Sequence, residues 1–98
     1  MITIYKYKID LFTTTIQMPA DAKILTAAFQ DKRFYLWAEV DTENPDVARY
    51  FKAFGTGHDI PYSRGVDFKY IATGVMPNGA TGFMPNGLVF HAYEILGL

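Results

Sequence analysis

A period-two alternation of apolar and polar side chains constrains this chain more than any other feature. In "ITIYKYKIDL", residues 2–11, Tyr5, Tyr7, Ile9 and Leu11 share one side of an extended backbone, and Lys6, Lys8 and Asp10 take the other. In "FYLWAEV", residues 34–40, Phe34, Leu36, Ala38 and Val40 form one face and Tyr35, Trp37 and Glu39 the second. Glu39 marks that second face as the wetter one, so Tyr35 and Trp37 belong to an exposed or interfacial surface. "FTTTIQM" favours a pleated backbone and either continues the first strand or forms the next. Turn chemistry separates the runs: Pro19 with "PADA", the hairpin tip Asp31-Lys32-Arg33, and an acidic loop around Pro45.

One segment is ambiguous. "NPDVARYFKAF" has Asn44 and Pro45 where a helix would be capped, and Val47, Tyr50, Phe51 and Phe54 at i, i+3, i+4 and i+7 spacing. Its aromatic density and its neighbours favour a strand, with a short helix over 45–54 as the alternative. "VDFKYIATGV" reads as a strand with Phe68, Tyr70 and Ala72 on one side. MPNG occurs at 76–79 and again at 84–87, and Asn-Gly is a hairpin-turn signal, so a long hairpin tip is expected there. The expected fold is mainly β: a single compact antiparallel sheet or sandwich-like domain over 1–98, of about six or seven strands.

The last third is nearly free of charge. Residues 70–98 contain one charged side chain, Glu94, and in "LVFHAYEIL" both parities are largely apolar. A strand apolar on both faces is buried on both. The segment is therefore expected at the centre of a sheet, and subunit packing, hence a homo-oligomer, is the simplest cover for its second face.

With 98 residues and a formal net charge of −1, the chain lacks the basic stripe that general nucleic-acid binding requires. It has no cysteine, no apolar run of the roughly 20 residues a membrane span needs, and no charged-then-apolar leader, so a soluble intracellular protein is expected.

The most chemical stretch is "FGTGHDIP", residues 54–61. It lacks the Lys-Ser/Thr pair of a nucleotide-triphosphate loop and the third glycine and following helix of a dinucleotide loop, so no cofactor is implied. It reads as a tight turn or as the wall of a ligand pocket. The two histidines, His58 and His91, lack the His-x-Thr/Ser setting of a two-histidine phosphoesterase, which makes that activity the weakest reading. His91 and Glu94 have odd spacing and would face opposite ways on a strand, so no metal site and no catalytic set is expected. For a binding site the candidates are Thr56, Gly57 and His58 on a phosphate or ribose, Arg64 or Arg49 to neutralise charge, and Trp37 or Tyr62 to stack on a base. The same aromatic faces suit packing against another subunit or, as the alternative, masking of another protein.

Taken in order, "IYKY", "MPADAKIL", "LWAEVD", "FGTGHDIP", "YIAT" and "LVFHAYE" resemble a family of small uncharacterised proteins of tailed phages and prophages. The doubled MPNG segment departs from that family's shorter connection. The resemblance implies a phage-encoded accessory protein in the host cytoplasm. By analogy with compact phage proteins that sequester nucleotide signals of bacterial immunity, it implies a non-enzymatic homo-oligomer binding a nucleotide-derived small molecule.

Overall fold

In a computed structural model, which describes residues 1–76 and 88–98, the chain forms seven strands and two antiparallel sheets. The strands are β1 (Ile2–Ile9), β2 (Thr14–Pro19), β3 (Lys23–Gln30), β4 (Arg33–Asp41), β5 (Asp46–Gly55), β6 (Asp67–Met76) and β7 (Leu88–Leu96). One sheet has the order β1-β4-β3 and the other β2-β5-β7-β6. The expected β-sandwich is the observed one. The second MPNG copy and most of the first lie outside the described residues.

Alternation fills the space between the sheets. Ile9, Phe34, Leu36, Ala38 and Val40 from the first sheet meet Ile16, Met18, Phe51, Ala53 and Ala92 from the second, and all are buried. Asp31 and Lys32 both have positive φ, 52° and 67°, which makes them a two-residue hairpin tip with Arg33 already paired to Gln30. "FTTTIQM" does not extend β1; β2 leaves for the other sheet and pairs with β5.

Residues 46–55 are strand, not helix. The helical spacing of Val47, Tyr50, Phe51 and Phe54 arises because β5 packs on both sides. Phe51 and Ala53 face the other sheet, whereas Tyr50, Lys52 and Phe54 lie on the outer face beside Ile95, Tyr93 and His91. The apparent helix cap has another use. Asn44 Nδ2 donates to the Ala20 carbonyl at 2.9 Å, and the Pro45 carbonyl accepts from the Ala20 amide at 2.8 Å, so these residues clasp the β2–β3 turn.

β7 is central, between β5 and β6, as its two apolar faces require. Its outer face is covered in part within the chain: Phe54 and Ile95 are buried there, and Tyr93 packs edge-on against Phe54 and Tyr70. The double apolarity therefore does not by itself demand a second subunit. On the inner face Glu94 is buried and ion-paired: Arg49 Nε and Nη2 donate to its two oxygens at 2.7 Å each. Arg49 Nη1 donates to the Ala22 carbonyl as well.

Two bulges shape the closed side of the sandwich, where β3 and β6 run close together. The register slips between Ile24 and Thr26 on β3 and between Tyr70 and Ala72 on β6. Bulges sharpen local twist and so let the edges of two sheets approach. The second also corrects a face assignment. Phe68 and Tyr70 are outward as alternation predicts, but the extra residue Ile71 turns Ala72 inward opposite Ala92 and places Thr73 outward opposite His91.

Glu94→Gln should keep the fold but leave the Arg49 guanidinium without its counter-charge, lowering stability by about 2–3 kcal/mol because the pair is only partly screened by solvent. Urea denaturation checks this through the transition midpoint at unchanged slope.

Candidate functional site

The outer face of the second sheet ends in a small depression. Phe54, Gly55, Thr56, Gly57, His58 and Ile60 line it from β5 and the following loop, and His91 and Tyr93 line it from β7. Its volume is about 220 Å3. Strand pairing builds it: Phe54 sits opposite His91, so the chain leaving β5 delivers Thr56 beside the same ring. Gly57 has φ of +90°, a conformation that glycine adopts without strain, and this turns the backbone so that His58 folds back.

Each histidine is held. The Gly55 amide donates to His58 Nδ1 at 3.1 Å, which puts the proton of a neutral His58 ring on Nε2. No side chain among the described residues partners that Nε2, and His58 is exposed. His91 bonds to two hydroxyls: Thr56 Oγ1 lies 2.9 Å from Nε2 and Thr73 Oγ1 2.9 Å from Nδ1. Thr73 Oγ1 is in turn 2.7 Å from the Tyr70 hydroxyl. A neutral imidazole donates at one nitrogen and accepts at the other, so the Tyr70–Thr73–His91–Thr56 chain is a polarised relay in which each hydroxyl orients the next group.

The structure separates the residues that the sequence grouped together. Thr56, Gly57 and His58 are at the depression. Tyr62 is nearby through aromatic contact: it packs edge-on to Phe68, which packs edge-on to Phe54. Arg64 is exposed on the same loop, between Ser63 and Gly65. Arg49 is not available there, because it faces the interior and is engaged with Glu94. Trp37 is on the outer face of the other sheet, opposite Lys6 on β1 and next to Tyr35, so it cannot stack on a ligand held by His58.

Four participants are not among the binding candidates that the sequence offers: Phe54, Tyr70, Thr73 and His91. The hydroxyls that a His-x-Thr pattern would have supplied in sequence come instead from β6 (Thr73) and from the loop after β5 (Thr56). His91 and Glu94 do face opposite ways. Among the described residues no group of three or more His, Cys, Asp or Glu side chains is placed to share a metal ion, and no helix is long and apolar enough to cross a membrane.

Fold and site together define a small antiparallel β-sandwich with a histidine- and threonine-lined depression at one end of its four-stranded sheet. The chain belongs to the family described as Domain of unknown function (DUF7352), whose model matches residues 1–96. No curated protein and no solved structure matches it.

Gly55 is a control point for the depression. A Cβ there would lie 2.8 Å from His58 Cε1, the far end of an exposed side chain that can swing away. Gly55→Ala should therefore release the His58 ring while the strand stays paired. In 15N NMR spectra the expected sign is a changed His58 ring signal with β5–β7 amide protection retained.

Proposed function

We propose that the protein binds a small phosphate-bearing aromatic ligand, of the nucleotide-derived class, at the depression lined by Thr56, His58 and His91, and holds it without transforming it. The observation that supports this reading most is the convergence of His58, His91 and Thr56, from separate parts of the chain, on one depression backed by Phe54 and Tyr93. Exposed hydroxyl and ring N–H groups suit phosphate or ribose oxygens, and exposed Tyr62, edge-on to Phe68, offers a nearby surface for a planar base. Arg64 on the same loop supplies positive charge.

Binding is favoured over hydrolysis by the state of His91. Both ring nitrogens are occupied by threonine hydroxyls, and among the described residues no carboxylate bonds to the ring to stabilise an imidazolium. The resemblance to small phage and prophage proteins adds the setting for the proposal, a sequestering role in the cytoplasm of a host cell.

Calorimetry with cyclic nucleotides and ADP-ribose should show one saturable site with Kd on the order of 1–10 µM, weakened about tenfold by His58→Ala or Thr56→Ala. Absence of binding up to about 1 mM across that panel sinks the reading.

A second reading concerns the outer face of the three-stranded sheet. Ile2 and Ile4 are 63% and 56% exposed on β1, alongside Trp37 and Tyr35 of β4. In the proposal this aromatic strand face meets another protein, and a homo-oligomer, which the sequence reading places on the second face of "LVFHAYEIL", assembles through this face instead. Sedimentation velocity at micromolar concentration should then show wild type larger than monomer and Ile4→Glu monomeric; a monomeric wild type removes the homo-oligomer.

A further inference from the structure

A second cavity lies on the other side of the same sheet. Ala53 and Phe90 line it, while their chain neighbours Phe54 and His91 line the histidine depression. The cavity measures about 320 Å3, within the range of small-molecule sites, and among the described residues it opens at the end of the sandwich. Its floor is apolar and well packed: Phe29 and Phe34 stack with ring centroids 4.7 Å apart, and Phe90 leans on both. Gly74 makes room for this cluster, since a Cβ there would come within 2.7 Å of Phe34.

The rim has a different character. Lys8, Lys32 and Arg33 line it against a single carboxylate, Asp10, and none of the four is in an ion pair among the described residues. Asp31, in the hairpin tip, is not part of the lining. Leu11 and Phe12 form an apolar lip, and Phe12 is 82% exposed. The lip is anchored, because the Asp10 carbonyl accepts the Ala53 amide at 2.9 Å. An exposed phenyl ring beside an apolar cavity, with three cations against one carboxylate at its rim, matches one ligand chemistry: an apolar body with an anionic end.

We propose that this cavity binds a small amphiphilic anion, an apolar monocarboxylate, with its hydrocarbon among Leu11, Phe12, Phe29 and Phe90 and its carboxylate between Lys32, Arg33 and Lys8. The site is independent of the histidine depression and stands whether or not that depression binds nucleotides. Apolar burial supplies affinity, and the cations select acids over neutral molecules of the same length.

The test uses the intact protein with decanoate, decanol and the fluorescent apolar sulfonate 8-anilinonaphthalene-1-sulfonate. The expected result is saturable one-to-one binding of the sulfonate, displaced by decanoate and at least tenfold less well by decanol. The variant Lys8→Gln/Lys32→Asn/Arg33→Gln should weaken decanoate about tenfold or more, each cation contributing a few-fold. All three side chains are exposed, and asparagine accommodates the positive φ at 32, so far-UV circular dichroism should be unchanged. Phe12→Ser should weaken decanoate and decanol in the same proportion. Acid and alcohol binding equally, binding that survives loss of the cations, or no displacement by decanoate up to about 1 mM each overturns the assignment.

Discussion

The bidentate contact between Arg49 and Glu94 is the constraint on which the second sheet depends. Burying a carboxylate is costly unless it is paired and hydrogen-bonded, and here both oxygens are met by one guanidinium. The third guanidinium nitrogen reaches the Ala22 carbonyl at the β2–β3 corner, so the pair links β5, β7 and the crossing between sheets. Removing one partner of such a pair leaves an uncompensated buried charge. The pair fixes which way β7 faces: with Glu94 inward, alternation sends His91 and Tyr93 outward. A slip of one residue would bury His91 and expose the carboxylate.

The relay on His91 rests on a second local device. Without the extra residue Ile71 on β6, strict alternation from Tyr70 would bring Ala72 outward beside His91, and the ring would lose its Nδ1 partner. The bulge exchanges a methyl for a hydroxyl at that position while keeping the apolar Ile71 and Ala72 against the core. One inserted residue thus serves packing on one face and hydrogen bonding on the other. β6 is an edge strand, where an interruption of pairing is tolerated best.

The legible and the hidden parts of the molecule divide along the range of the forces involved. Side-chain alternation is local, so the core face of β4 and the central place of β7 follow directly from "FYLWAEV" and "LVFHAYEIL". The glycine turn that presents Thr56 and His58 is equally local, set by Gly57. Bulges and cross-strand pairing are not. No residue in "YIAT" announces that Ile71 is extra, so strict alternation puts Ala72 on the face of Phe68 and Tyr70 and hides the partner of His91. Arg49 reads as a free cation in the sequence because its counter-charge lies 45 positions away on β7. The helix-like spacing in β5 misleads for a related reason: a strand buried on both faces erases the alternation that would distinguish it.

The scarcity of charge in β7 then has a physical origin within the chain. β7 has a strand on each side, the first sheet beneath it and an aromatic layer above, so only Glu94, with a dedicated partner, can be charged there. The same arrangement places two chemically different recesses back to back. Consecutive residues of β5 and β7 must alternate between them, so Ala53 and Phe90 shape an apolar recess while Phe54 and His91 shape a polar one. Their chemistry differs because the faces differ in solvent access. The inner recess inherits the hydrophobic floor of the core and takes its charge only at the rim, whereas the outer one lies where hydroxyls and imidazoles can be satisfied by one another across strands. A substitution on one parity can therefore change one recess while leaving the lining of the other intact.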